Sequence, residues 1–277
     1  MKKMSGVFVI LAVLIGLLIA MGAPVMADEQ ADDQPETLIL DVTFRDFHGM
    51  NWTGDDGYSA HPDFEDGTGY DTGIVETTLG GDRKPVYTGE IDNPTTHGQA
   101  AFDQWYRDTA GVNQSLDSTL TFTLSSGNYV YSSSSFFPLD DQLLGNDGNS
   151  HNYHFTMELH SSFTYEAGQV FSFTGDDDVW VFIDNTLVID LGGVHGAQSG
   201  SVELDTLGLT ENETYDFDLF FAERHTTGSN FNATTNIDLQ EPSSGVPWWV
   251  WLLVVLAVIV AGCFFLIFLL RRKKKRS

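Results

Sequence analysis

The chain has 277 residues, with 13 Lys or Arg, 39 Asp or Glu and a formal net charge of −26. Eight of the basic residues lie at the two ends, so the stretch between them has five basic residues against 39 acidic ones, a formal charge of −34. Such a stretch excludes nucleic acid as a partner, because phosphate binding needs clustered cations. Divalent cations fit better, although surface acidity for solubility also explains many of these acids.

The chain begins with a predicted signal peptide, residues 1–27. Two lysines precede an apolar run over residues 7–21, and small residues stand before a cleavage position after Ala27. This order is typical of a secretory signal, with an uncleaved membrane anchor as the alternative. Residues 28–37 are acidic and lack large apolar side chains, so we expect a flexible lead-in.

Residues 38–240 are predicted to form an all-β domain. Short runs of β-branched and aromatic residues alternate with Gly, Asn and Asp, a pattern typical of a sandwich or barrel. The predicted strands are 38–47, 118–124, 153–165, 170–173, 179–183, 187–191, 202–204, 215–222 and 233–239. Asn185 and Thr186 are predicted to form a hairpin turn. One helix is predicted over residues 96–109, with Phe102 and Trp105 on its apolar face.

Two long polar segments, residues 49–87 and 131–152, interrupt the predicted strands. Loops of this length usually carry function or lack a fixed structure.

The end of the chain predicts a membrane anchor. Residues 248–270 contain no charge and would span about 34 Å as a helix, enough for a ~30 Å hydrocarbon core. Residues 241–247 form a short linker before it, and the tail 271–277 contains six basic residues, which keep that end cytoplasmic. We therefore expect a single-pass type I protein of the cell membrane with an extracellular N-terminal domain. A buried core helix is the alternative.

Three consecutive aspartates, Asp176, Asp177 and Asp178, stand directly before a run of apolar residues. Each pair of these charges costs about 2–3 kcal/mol at an effective dielectric constant of ~20 and a separation of ~6 Å. A cation, backbone N–H groups or water must offset this repulsion. Clustered carboxylates in a loop are the ligands that Ca²⁺ prefers, but an exposed acidic turn explains the triplet equally well.

Two further segments contain candidate site residues. In residues 220–231, Glu223 and Asn230 offer oxygen ligands or contacts to sugar hydroxyls, beside Arg224 and His225; a solvated loop with an Arg–carboxylate pair is the simpler interpretation. His195, predicted to contact the ligand, lies in a glycine-rich turn that lacks the context of a phosphate loop, and the histidines lack zinc-ligand spacing. The GxSxG motif is absent, and no catalytic residue is predicted.

The sequence resembles the fibro-slime domain, a member of the PA14-like group. The resemblance rests on FTGDDDVWVFIDNTLVIDLGGVHG at residues 173–196, followed by SGSVELD and by LFFAERHTTGSNF. Upstream, HPDFE and FDQWYRD also match, so that the similarity covers residues 38–239.

The resemblance implies a PA14-like β-sandwich or barrel on an extracellular protein. Some PA14-type adhesins bind glycans through Ca²⁺ held by an Asp-Asp pair, which Asp176 and Asp177 match, with Asn230 as the nearest equivalent of a loop amide. Asp178 stands where many PA14 domains have glycine and is predicted to be a ligand or an acceptor behind the ligands. Trp180 or Trp52 is predicted to stack on a sugar, and core packing is the alternative for Trp180.

These observations predict a non-enzymatic binding or adhesion module, with Ca²⁺-dependent recognition of a glycan or an extracellular protein. The first alternative is a structural spacer in which calcium only stabilises the loops. The second is a glycan-active enzyme, which the sequence favours least because carboxylate pairs can always be chosen from 39 acids.

Overall fold

The computed structural model describes residues 34–89 and 95–240. The predicted signal peptide, most of the lead-in, the linker, the transmembrane segment and the basic tail lie outside these residues. Within the described part, no helix is long and apolar enough to cross a membrane.

The fold is all-β, as predicted. The strands are β1 Thr37–Phe47, β2 Gly69–Tyr70, β3 Asn113–Ser125, β4 Asn128–Ser133, β5 Phe155–Thr164, β6 Val170–Gly175, β7 Asp178–Ile183, β8 Thr186–Leu191, β9 Gly193–Val194, β10 Gln198–Glu203, β11 Thr214–Glu223 and β12 Phe231–Thr235. A short helix, α1 (Gln99–Phe102), precedes β3, and a 3-10 turn spans Leu204–Thr206.

Ten strands form one antiparallel sheet in the order β10-β6-β12-β4-β3-β1-β5-β11-β7-β8. The two end strands approach each other, because a Cβ atom added to Gly200 in β10 would lie 2.6 Å from Cγ2 of Ile189 in β8. The sheet therefore curls around one main core. That core includes Leu40, Phe44, Leu120, Phe155, Leu159, Phe171, Val181, Phe221 and Phe231.

The β7–β8 hairpin turns one residue earlier than predicted. Ile183 pairs with Thr186, so Asp184 and Asn185 form the two-residue loop. Both have positive φ values, 48° and 63°. A tight hairpin needs left-handed backbone at both positions, and Asp and Asn tolerate that conformation better than the β-branched Thr186.

Strand β4 was not predicted and overlaps the segment that the sequence indicated as a loop. It pairs with β3 and β12. Ser126 and Gly127 form the preceding turn, both with positive φ. The strand is serine-rich, so its hydrophobic alternation is weak in the sequence.

A second hydrophobic cluster covers the outer face of the sheet. Alternate residues of β7 point to opposite sides, so Val181 lies in the main core while Trp180 and Phe182 lie in the second cluster. Its other members include Phe47, Phe64, Ile74, Val75, Leu79, Tyr87, Phe102, Trp105, Tyr106 and Phe220. The segment predicted as a long polar loop is therefore a packed layer. The predicted helix is confined to α1, although Trp105 is buried as expected.

All five basic residues of the described part form ion pairs. The pairs are Arg45 with Asp108 and Glu158, Arg83 with Asp216 and Asp218, Lys84 with Glu158, Arg107 with Asp82 and Asp103, and Arg224 with Asp178. Two of these cations, Arg83 and Lys84, connect residues 49–87, which we call the covering layer, to strands β5 and β11. Positive charge therefore serves to attach the layer to the sheet.

Candidate functional site

The aspartate triplet forms the corner between β6 and β7. Gly175 ends β6, and a Cβ atom there would lie 2.4 Å from the carbonyl oxygen of Asn230. Only glycine permits this approach of the corner to the loop between β11 and β12. Asp177 has a φ of 49°, in the left-handed region, so consecutive carboxylates turn in different directions.

The innermost aspartate is neutralised by a cation of the chain itself. Asp178 is fully buried; its Oδ1 accepts the N–H of Gly193 at 2.6 Å and its Oδ2 accepts Nε–H of Arg224 at 2.6 Å. The guanidinium of Arg224 is also fully buried and lies 4.6 Å from the ring centroid of Trp105. Its remaining nitrogens donate to Thr95 and to the carbonyl oxygen of Asp63.

We call Asp63, Thr95, Asp177, Asp178 and Arg224 the Arg224 cluster. The sequence predicted that Arg224 borders an external ligand, but its guanidinium lies in the interior and acts as a structural counter-ion.

The middle aspartate is held by backbone groups. Asp177 accepts the N–H of His195 at 3.1 Å and the N–H of Arg224 at 2.8 Å. Burial raises the pKa of Asp177 to about 7, against the opposing effect of the Arg224 charge. At neutral pH this carboxyl group is therefore close to its own titration point.

The outermost aspartate lies against the predicted loop amide. Asp176 is 8% exposed; its Oδ2 accepts an N–H of the Asn230 side chain, and its own backbone N–H donates to the Asn230 carbonyl oxygen at 3.2 Å. Burial raises the pKa of Asp176 above its usual value. Of the residues that the sequence assigned to one metal site, the structure places Asp176 and Asn230 in direct contact.

Glu223 brings an unsatisfied carboxylate to the same corner. It is fully buried, and its Oε2 has no hydrogen-bond partner among the described residues. Burial and the nearby charge of Asp177 raise the pKa of Glu223 well above its usual value. The hydroxyl group of Ser229, in the adjacent loop, is also buried; it lies next to Glu223 and opposes the rise in the pKa of that carboxyl group. The buried Oε2 of Glu223 indicates a position where a cation would be favourable.

The oxygens do not converge as a finished metal centre. Within residues 34–89 and 95–240, no three His, Cys, Asp or Glu side chains are grouped so that they could hold a metal ion. Asp178 engages its oxygens with Gly193 and with the charged side chain of Arg224, and Asp177 engages both of its oxygens with the backbone N–H groups of His195 and Arg224. The carboxyl groups of this corner that form no ion pair with a described residue are Asp176, Asp177 and Glu223, and their hard oxygens are of the kind that calcium prefers.

The aromatic residue beside the triplet is one that the sequence did not identify. The ring of Tyr70 is stacked on that of His195, with centroids 5.1 Å apart, and Tyr70 is 69% exposed. Its hydroxyl accepts an N–H from Gln198 at 3.0 Å. Tyr70 arrives through the β2–β9 pair, where a Cβ atom on Gly193 would lie 2.2 Å from the backbone of the facing strand. The Gly-Gly turn was the available sequence signal.

Trp180 is fully buried, and its indole N–H donates to Asp190 at 3.0 Å. It belongs to the core, which is the alternative that the sequence left open.

Trp52 lies at a second location, which we call the histidine cleft, and His225 lies behind one of its lining residues, Glu65. The cleft has a volume of about 360 Å³ and is lined by Gly49, Asn51, Trp52, Thr53, Glu65, Asp147, Asn149, His154 and Thr226. The ring of Trp52 stacks on His48 with centroids 4.1 Å apart, and Nε2 of His225 lies 3.7 Å from Oε1 of Glu65. The sequence analysis missed this cleft because its walls come from segments far apart in the chain.

Comparison with known proteins finds a match to one family model. Residues 137–245 match the family model described as PA14 domain. This part of the chain is therefore similar to a PA14 domain. The resemblance to the PA14-like group, and to its fibro-slime branch, is thereby confirmed. The PA14 model begins at residue 137, so the covering layer precedes the matched region.

The chain has relatives in Dictyostelium discoideum. Protein psiC is 44% identical over 186 residues, which cover 60% of this chain and 36% of psiC. Protein psiD is 38% identical over 246 residues, which cover 80% of this chain and 46% of psiD. The chain therefore spans less than half the length of either relative. Among solved structures, the epithelial adhesin 9 A domain of Candida glabrata, in complex with Galβ1-3GlcNAc, is 12% identical, with coverage of 76% and 93% and a TM-score of 0.34.

Proposed function

We propose that this protein is a cell-surface binding or adhesion module whose PA14 domain recognises a glycan with the help of Ca²⁺. The observation that carries the proposal is the corner of β6 and β7. There Asp176 contacts Asn230, the charges of Asp176 and Asp177 reach the buried Glu223, and Oε2 of Glu223 has no partner among the described residues. A divalent cation would neutralise these acids and supply the missing contact. Asp178 would stay paired with Arg224 behind the ion.

The neighbouring surface supports a sugar as the ligand. Tyr70 offers an exposed ring. His195 holds it by stacking on the ring, and Gln198 holds it by donating a hydrogen bond to its hydroxyl. Sugar rings present apolar C–H faces that pack against aromatic rings, while their hydroxyls bind carboxylates and amides. In this proposal Tyr70 performs the stacking role first expected of Trp180. A glycan therefore fits this corner better than an extended protein surface.

The location remains part of the proposal. A signal peptide over residues 1–27 and a span over 248–270 would place the domain outside the cell, attached to its membrane. Extracellular calcium modules bind with Kd values of about 10⁻⁴ to 10⁻³ M, which suits such a location.

Calcium titration of the full chain, purified in mild detergent and followed by thermal unfolding, tests the metal site. At ~10 mM Ca²⁺ and these Kd values, stability should rise by about 1.4–2.7 kcal/mol. The Asp176→Asn/Asp177→Asn variant should lose this increase. The matched control, Asp55→Asn/Asp117→Asn, removes the same charge from exposed positions and should keep it. Equal responses in both variants would contradict the site.

Glycan-array binding with and without EDTA then separates the two functions that remain. Binding that EDTA abolishes supports Ca²⁺-dependent recognition. A chain that calcium stabilises but that binds no glycan would favour the second candidate, a structural spacer. In that case the calcium ion would only satisfy the unpartnered oxygen of Glu223.

A further inference from the structure

The histidine cleft is a second built site in this molecule. Its walls come from the covering layer at residues 49–65, from residues 147–154 and from Thr226 in the loop after β11. The first of these segments precedes the region matched by the PA14 model. The cleft is therefore formed jointly by the PA14 domain and the layer that covers it.

Hydrogen bonds fix the walls of the cleft. His154 bridges two carboxylates, with Nδ1 at 3.2 Å from Asp147 and Nε2 at 3.0 Å from Glu65. Glu65 also accepts the backbone N–H and the hydroxyl of Thr226, at 3.1 and 2.7 Å. Asp147 also accepts the N–H of Gly49 at 2.9 Å and contacts His48 at 2.5 Å. A cleft whose walls are already bonded to each other pays little to become ordered when a ligand binds.

Other groups in the cleft are left for recognition. The indole N–H of Trp52 is buried and has no hydrogen-bond partner among the described residues. The side chains of Asn51, Thr53 and Asn149 line the opening and form no hydrogen bond with another described side chain or backbone group. An aromatic ring beside amide and hydroxyl groups is the combination that binds a hydroxylated ring.

The charges of the cleft limit the class of ligand. Burial raises the pKa values of Glu65 and Asp147, but hydrogen bonds from His154, Thr226, Gly49 and His48 and the nearby histidine charges together hold both below their usual range, so both carboxylates are ionised at neutral pH. An anionic ligand is disfavoured there. A cation gains little as well, because the oxygens of both carboxylates already accept bonds from the walls. A volume of 360 Å³ lies at the low end of the range for ligand sites, about 300–1,000 Å³, and suits one sugar ring.

We propose that the histidine cleft binds one neutral sugar ring, with Trp52 as its aromatic contact and Asn51 and Asn149 as hydrogen-bond partners. This site is separate from the corner of β6 and β7 and does not depend on calcium. The two sites together would let one copy of the protein contact two positions of an extended glycan.

Saturation-transfer NMR tests this proposal with glucose, galactose, mannose and N-acetylglucosamine as probes. The full chain is produced in bacteria, so that the sequon Asn51-Trp52-Thr53 stays unmodified, and is kept in mild detergent. Trp52→Ala should weaken binding of the preferred sugar about tenfold or more, which corresponds to the loss of one stacked ring. Asn149→Ala, an exposed change at the rim, should weaken it without affecting the thermal midpoint.

The calcium site provides the control. Asp176→Asn/Asp177→Asn and EDTA should leave this signal unchanged within about threefold, even if the calcium proposal itself fails. Loss of the signal in the aspartate variant with no loss in Trp52→Ala or Asn149→Ala would assign the sugar to the other site and overturn the proposal. The absence of a signal for all four sugars in the parent chain would also overturn it.

Discussion

The Arg224 cluster and the histidine cleft each hold carboxylates close together, but they use different cationic side chains to do so. In each, buried carboxylates are held by a positively charged group that bridges segments far apart in the chain. Arg224 is fully buried and always charged. His154 is 5% exposed, and its charge depends on pH. The comparison teaches that one chain can fix one acidic cluster permanently and leave another responsive to its surroundings.

The environment of each cation supports this distinction. Burial alone would lower the pKa of His154, but hydrogen bonds to Asp147 and Glu65 raise it above its usual value. Burial also opposes the charge of Arg224, and the contacts with Asp178 raise its pKa further above neutrality. The charge of His154 is therefore favoured by its two carboxylates but can be removed by a rise in pH, whereas Arg224 stays charged.

The largest expected effect comes from removal of the permanent cation. Arg224→Met leaves Asp178 fully buried without its counter-ion, so the free energy of unfolding should fall by about 3–5 kcal/mol. Urea denaturation measures this change. The charge-preserving variant Arg224→Lys should lose less free energy of unfolding, because it keeps the positive charge although it lacks the planar set of donors. A loss below about 1 kcal/mol in Arg224→Met would show that the cluster does not need its arginine.

The pH dependence of stability should have a definite sign. Folding raises the pKa of Asp46 and of Asp177 to about 7. Both groups therefore ionise more readily in the unfolded chain than in the folded one, and they lower the stability increasingly as pH rises from 4 to 7. Folding also raises the pKa of His154 and His160; their stabilisation is complete below ~6.5 and is lost as pH rises through the raised values. The melting temperature should therefore fall by several degrees between pH 5 and pH 8.

A histidine variant locates part of that dependence. His154→Gln keeps hydrogen bonding in the cleft but removes the titration, so the decline above pH 6 should become shallower. His151→Gln is the control, because His151 is 39% exposed and contacts one carboxylate, Asp140. Identical pH profiles for the parent and His154→Gln would contradict the role of this histidine.

Two tryptophans offer a smaller, matched comparison. Trp180→Phe removes an indole that packs near Trp105 and donates to Asp190, so it should cost about 1–3 kcal/mol. Trp52→Phe removes an indole N–H that has no partner among the described residues, so it should cost less than about 1 kcal/mol. Thermal unfolding of both variants measures whether removal of the hydrogen-bonded indole N–H of Trp180 costs more stability than removal of the unpartnered one of Trp52.

The smallest effect is expected at the surface. Arg107→Met breaks a pair with Asp82 in which both side chains are partly exposed, so the loss should be about 0–1 kcal/mol. A loss as large as that of Arg224→Met would mean that burial does not set the difference between these arginines.

Most strands could be predicted from the sequence because their signal, hydrophobic alternation, is local. The Asp-Asp pair and Asn230 were chosen from the resemblance, and their role as metal ligands stays a prediction. The covering layer could not be predicted, because Phe64 and Ile74 occur singly in polar surroundings and their shared packing depends on tertiary contacts. Asp178 and Arg224 are 46 residues apart, and nothing local to either one indicates their pairing.

The histidine cleft was beyond sequence reasoning for the same reason. Glu65 and His154 are 89 residues apart, and each is unremarkable in its own segment. The one usable hint in the sequence was the rarity of basic residues between the two ends of the chain. Five Lys or Arg among 39 acids indicate that these cations serve as internal partners of carboxylates.

The pairing of all five basic residues of the described part has a consequence for many copies on one surface. The described parts of neighbouring copies would face one another with excess carboxylates and with no unpaired Lys or Arg among residues 34–89 and 95–240 to bridge them. Their mutual repulsion reaches across a gap of about 8 Å at ~0.15 M salt and about 30 Å at ~0.01 M. A dense layer of these domains should behave as a polyelectrolyte coat, which swells in dilute medium and compacts when salt or divalent ions are added.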